Sequence, residues 1–155
     1  MISNVKGFFE KFSITADTDG DDFGTANVSI TIDAASISTN NEQRDTHLRS
    51  VDFFEVEKYP ELAFVSTRIE RNGESAFTMY GNLTMKDATN EVKLSVEYGG
   101  TLKDPWGNEK AGFTITGKIN RKDWGLVWNG VLEAGGVLVG DDVNLMCELE
   151  LAKAV

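Results

Sequence analysis

The stretch Val143-Asn144-Leu145-Met146-Cys147-Glu148-Leu149-Glu150-Leu151 places an apolar side chain at every second residue, with Asn144, Glu148 and Glu150 among those between. Successive side chains of an extended backbone point to opposite faces, so this segment reads as a β-strand with one apolar and one wet face. The same beat recurs upstream. Phe77, Met79, Leu83 and Met85 share a phase with Gly81, and Val92, Leu94, Val96 and Tyr98 alternate with Glu91, Lys93, Ser95 and Glu97. Ala111, Phe113, Ile115 and Ile119 share a phase with Gly117, and Val28, Ile30 and Ile32 alternate with Ser29, Thr31 and Asp33. Strands of this kind suit an antiparallel sheet buried on a single side.

Two segments break the rhythm. Residues 8–14 need a bulge near Gly7 or Phe9 to keep their aromatics on one side. Residues 62–69 are apolar on both faces at the start, which predicts a cover over them. One short helix is expected over residues 42–49, with Asn40 or Asn41 as its cap and Asp45 early in it. Seven or so long, one-sided strands must curl round one interior. That favours an all-β, closed or nearly closed antiparallel β-barrel over a sandwich, because closure also removes exposed strand edges. No linker, composition shift or repeat divides the chain, so residues 1–155 read as one domain.

Charge and composition exclude several classes. The net charge of −10 argues against nucleic acid, which requires a basic patch. No run of Lys or Arg would hold an anionic membrane surface, and no apolar run approaches the roughly 18 residues of a membrane span. Stable membrane insertion is therefore not expected. Cys147 is the single cysteine, so no intrachain disulfide forms, which fits a reducing compartment. Met1-Ile2-Ser3-Asn4-Val5-Lys6-Gly7 lacks the basic, apolar and small-residue order of a signal peptide. The chain as given reads as cytoplasmic, or as periplasmic if a leader is removed upstream.

The candidate site is the inward phase itself. Phe77, Met79, Gly81, Leu83, Leu94, Val96, Phe113, Ile115, Gly117, Leu145, Cys147 and Leu149 either line a ligand tunnel or pack against one another. Gly81 and Gly117 stand where a side chain would normally fill space, and such glycines mark bends or places where something else comes close. Met79 and Met85 would make adaptable linings. In Trp124-Gly125-Leu126-Val127-Trp128-Asn129, Trp124 and Trp128 either flank the interior or plug it, and their indole N–H groups need partners if buried. Trp106 follows Pro105 in a turn and is expected at a rim.

Other chemistry fares worse. His47, the only histidine, is flanked by Arg44, Asp45, Arg49 and Asp52. A catalytic reading makes it a general base oriented by a carboxylate. The structural reading makes the group a polar cluster that pins the helix, with Arg44 and Asp45 bonding to loop backbone or to Arg121 and Asp123. No nucleophile motif accompanies it, so the structural reading is preferred. Asp17-Thr18-Asp19-Gly20-Asp21-Asp22 fails the EF-hand spacing, since glycine falls fourth and Val28 twelfth. Gly99-Gly100 and Gly135-Gly136 read as turns or bulges, not phosphate cradles. No catalytic residue, metal or cofactor is predicted.

A family resemblance adds to this reading. Asn41-Glu42-Gln43-Arg44-Asp45-Thr46-His47-Leu48-Arg49-Ser50, Asp52-Phe53-Phe54-Glu55-Val56-Glu57-Lys58-Tyr59-Pro60 and Gly81-Asn82-Leu83-Thr84-Met85-Lys86 resemble the bacterial YceI-like family. So do Asp104-Pro105-Trp106-Gly107-Asn108, Ile119-Asn120-Arg121-Lys122-Asp123-Trp124-Gly125-Leu126 and Glu133-Ala134-Gly135-Gly136-Val137-Leu138-Val139-Gly140, in that order. The resemblance implies a lipocalin-like barrel of about eight strands whose lumen binds a polyisoprenoid or isoprenoid quinone. It also implies a homodimer, and it brings no catalytic residues. Family members usually carry a further strand ahead of the segment matching Met1-Ile2-Ser3. Three expectations follow: a longer gene product, a seven-stranded barrel with an open seam, or an edge supplied by a neighbouring subunit.

Overall fold

The computed structural model describes residues 5–130 and 139–153. Within them the alternating segments form strands as their phases require. In chain order the elements are β1 (Phe8–Phe9), β2 (Phe12–Asp19), β3 (Asp22–Asp33), β4 (Ile37–Ser38), α1 (Glu42–Arg49), β5 (Glu61–Arg71), β6 (Ala76–Met85), β7 (Ala88–Lys103), β8 (Glu109–Asn120) and β9 (Asp142–Ala152). Single 3-10 turns at Ala34–Ser36 and Arg121–Trp124 complete the list. The expected turn at Gly135-Gly136 and the first residues, Met1-Ile2-Ser3-Asn4, lie outside the described residues.

Seven strands make one curled antiparallel sheet in the order β2-β3-β5-β6-β7-β8-β9, a half-barrel. The all-β antiparallel barrel expected from the alternation is what forms, in the seven-stranded version with an open seam that was one of the three expectations. Among the described residues β2 pairs only with β3 and β9 only with β8, so a seam stays open between the two outer edges. The expected bulge near Gly7 or Phe9 is instead a break at Glu10 and Lys11. Phe8 and Phe9 leave the sheet there and pair with Ser38 and Ile37.

The odd phase of β5 has a bulge as its cause. The register shifts between Ser66 and Arg68, which leaves Thr67 as the extra residue and returns Ile69 to the side that Leu62 and Phe64 share. The helix stands where its cap predicts it. Asn41 Oδ1 accepts from the Arg44 N–H at 3.0 Å, satisfying one of the first-turn donors.

Antiparallel alternation sorts the connections between two ends. The β2–β3, β5–β6 and β7–β8 turns all lie at one end. The opposite end receives α1, both 3-10 turns and the segments around residues 53–56 and 121–128. There Phe53, Leu62, Phe64, Met85, Trp124 and Leu126 are buried together. That end is plugged.

Candidate functional site

The plug is built from hydrogen bonds as well as hydrocarbon. Trp124, 3% exposed, donates its indole N–H to the Leu83 carbonyl at 2.8 Å, so the buried ring has the partner it needs. Arg121, 4% exposed, holds the following loop by donating to four carbonyls. Nε reaches Gly140 at 2.9 Å, Nη1 reaches Leu126 at 2.6 Å and Trp128 at 2.9 Å, and Nη2 reaches Val139 at 3.3 Å. A buried guanidinium is tolerable only when its donors are met in this way.

The His47 cluster belongs to the same plug. His47 Nε2 stands 2.9 Å from Asp52 Oδ2, and the ring meets Trp128 and Phe53 edge-on with centroids 4.5 and 5.0 Å apart. Arg44 and Asp45 do not reach Arg121 or Asp123. Asp45 Oδ1 accepts from the Thr39 N–H at 2.8 Å and the Thr39 hydroxyl at 2.5 Å, while Arg44 donates to Thr39 Oγ1 at 2.8 Å and Thr39 O at 3.0 Å. Both therefore clasp the chain just ahead of the helix. None of these residues touches the hollow described next.

Towards the end with the three turns, the interior opens. A pocket there receives side chains from all seven strands of the sheet. Its walls are Ile14 and Ala16 of β2, Phe23, Ala26 and Val28 of β3, and Ile69 of β5. Phe77 and Met79 of β6, Val96 of β7, Phe113 and Ile115 of β8, and Leu149 and Leu151 of β9 complete them. Every one of these side chains is apolar. The cavity volume is about 50 Å³, enough for a few water-sized spheres. Alongside it runs a groove of about 310 Å³ in the seam, with Phe12 and Ile14 on one bank and residues 148–151 on the other.

Six of the residues singled out from the sequence line the pocket: Phe77, Met79, Val96, Phe113, Ile115 and Leu149. The others do not. Leu83, Leu94 and Trp124 are buried in the plugged half, and Trp128, Leu145 and Cys147 pack against that core half-buried. Burial pushes the Cys147 thiol above its ordinary pKa, so it stays protonated and weakly nucleophilic.

Gly81 and Gly117 are not openings. A Cβ on Gly81 would collide with the Phe64 ring and stand 2.6 Å from the Val65 carbonyl oxygen, and one on Gly117 would collide with Leu94 Cδ2. Each glycine makes room for a neighbouring strand's own side chain, and the space is already filled. The residues missed by sequence reasoning are Ile14, Ala16, Phe23, Ala26, Val28, Ile69 and Leu151. A usable signal was the two alanines, because a small side chain at an inward position leaves volume unfilled.

The fold and its hollow define an antiparallel half-barrel with an apolar pocket, the architecture of a small-molecule binding protein. The chain belongs to the YceI-like family, whose domain pattern matches residues 1–151. It is 38% identical over 153 residues to the UPF0312 protein SAS2572 of Staphylococcus aureus (strain MSSA476), covering 98% of this chain and 86% of that one. Among solved structures, the YCEI protein of Campylobacter jejuni superposes with a TM-score of 0.86 at 34% identity, over 100% of this chain and 88% of that one. BcnA of Burkholderia cenocepacia shares the fold, with a TM-score of 0.81 at 23% identity, over 97% and 90%. No helix among the described residues is long and apolar enough to cross a membrane.

Proposed function

We propose that the chain binds a long apolar lipid, a polyisoprenoid or isoprenoid quinone, and sequesters or carries it without catalysis. The observation that carries this reading is the pocket wall, to which every strand of the sheet contributes apolar side chains and no polar one. Binding there has little directional chemistry. Each buried methylene contributes roughly 0.8 kcal/mol, so a chain of several prenyl units outweighs its ordering cost without a charged contact.

A cavity of about 50 Å³ does not hold such a chain alone. The seam groove extends the path through the apolar Phe12, Ile14, Leu149 and Leu151, with Glu148 and Glu150 beside them on the β9 bank. The lipid therefore lies partly in the pocket and partly along the seam. The His47–Asp52 pair sits in the plug and faces none of this path, and no acid, base or nucleophile lines the pocket itself; Glu148 and Glu150 stand on the exposed bank of the seam.

Organic extraction of protein purified from its native host, followed by mass spectrometry, should return a prenyl lipid at near-stoichiometric amount. Protein that yields no lipid, and that fails to take up a prenyl quinone offered in detergent, overturns the reading.

A further inference from the structure

The turn-bearing end displays an aromatic side chain that neither the core nor the pocket uses. Trp106, in the β7–β8 turn, is 83% exposed, and Leu102, on the strand leading into that turn, is 59% exposed. The turn is tightly organised. Asp104 Oδ1 accepts from the N–H groups of Trp106 and Asn108, each at 2.9 Å, and Oδ2 accepts from Asn108 Nδ2 at 3.0 Å. The Asp104 N–H in turn donates to the Asn108 carbonyl at 2.9 Å. An ordered turn that holds an indole in solvent is a display device.

Its position relative to the pocket adds a second argument. β8 runs from Glu109, beside the turn, to Phe113 in the pocket wall, about 13 Å of strand. The pocket wall has no polar side chain and the far end is plugged. A lipid therefore enters tail first from this side, with its head group left at the mouth. A long apolar tail that crossed water on the way would expose its whole length to solvent, at a high cost.

Charge decides which surface suits this end. Arg71 pairs with Asp22 at 3.3 Å, Lys153 with Asp21 at 3.4 Å and Lys110 with Glu150 at 3.7 Å. These three basic groups are engaged with carboxylates and the exposed Lys103 stands alone beside the turn, so no basic cluster faces anionic head groups. Indole rings settle at the head-group level of bilayers.

Resting on the ligand reading above, we infer that the turn-bearing end docks on a neutral, zwitterionic bilayer through Trp106 and Leu102. The tail then passes between membrane and pocket without crossing water. The contact is peripheral and reversible, since two side chains make a modest anchor.

The test uses phosphatidylcholine vesicles with brominated acyl chains. Wild-type protein should float with them, and bromine should quench part of its tryptophan emission. The Trp106→Ser, Leu102→Ser double variant should partition at least about tenfold less and lose that quenched fraction, with an unchanged melting temperature. Equal partitioning of the two proteins, no flotation, or a preference for phosphatidylglycerol vesicles overturns docking on a neutral surface. Lipid extracted from the double variant reports on the ligand reading separately, because neither residue lines the pocket. Lipid recovered without Trp106-dependent flotation defeats the docking alone. Trp106-dependent flotation without extractable lipid defeats the ligand reading alone.

Discussion

Along β7 the inward residues tell two stories. Val92 and Leu94, towards the plugged end, are 7% and 6% exposed, whereas Val96 and Tyr98, towards the turns, are only half-buried. Both pairs obey the same alternation and sit on the same strand. The difference comes from what each meets across the interior. At the plugged end side chains from adjacent strands interlock, Phe64 into the space over Gly81 and Leu94 into that over Gly117. At the other end the inward positions of β2 and β3 hold Ala16 and Ala26, too small to meet Phe77 or Phe113. Alternation thus decides which side faces in, and side-chain volume decides whether the inside is solid.

The largest way to break this contrast is to remove the plug. Trp124→Ala deletes a ring that is 3% exposed and leaves the Leu83 carbonyl without its indole donor. The expected cost is about 3–5 kcal/mol, read as a lower urea midpoint with an unchanged slope. A loss under 1 kcal/mol would mean that the two ends do not differ in packing.

A matched pair of enlargements sharpens the comparison at smaller amplitude. Gly81→Ala forces Phe64 out of its place and should destabilise by about 1–3 kcal/mol, the usual cost of overpacking. Ala26→Leu adds more volume but points into the hollow, so stability should move by less than about 1 kcal/mol. The same change should lower the lipid recovered on extraction. If Ala26→Leu costs as much as Gly81→Ala, the cavity beside Ala26 is not available space.

These variants also mark how far the sequence could be read. The strands of residues 76–85, 88–103, 109–120 and 142–152 follow from apolar alternation, and the helix Glu42–Arg49 follows from Asn41 and its first turn. Each is a local signal, carried by the residues themselves. The open seam and the filled glycines are not local. Gly81 reads as a vacancy until Phe64, on the neighbouring strand, is known to occupy it, and no spacing within residues 76–85 reports that. The pocket was half legible for the same reason. Phe77, Met79, Val96, Phe113, Ile115 and Leu149 were found by phase, but the same phase also led to Leu83 and Leu94, which are packed solid. Ile69 lay hidden because the bulge at Thr67 shifts the alternation within its own strand.

The smallest expected effect concerns the turn at the open end and leaves the body of the sheet untouched. The Asn108 backbone N–H, donating to the Asp104 carboxylate, is the leading cause holding that carboxyl below its ordinary value of 3.8, with help from the Asn108 side chain, the Trp106 N–H and Lys110. A carboxyl whose folded pKa is depressed adds order that is fully present above the unfolded value and is lost as pH falls through the folded one. The turn should therefore hold its shape on acidification to pH 3.8 and come apart only below it. The amide resonances of Trp106 and Asn108 should shift together in that range, while those of Phe113 and Ile115 stay put. Asp104→Ala should reproduce the acid positions of the first two at pH 7. Amides of the turn that titrate at or above pH 3.8 would show that the carboxylate is not what organises the display of Trp106.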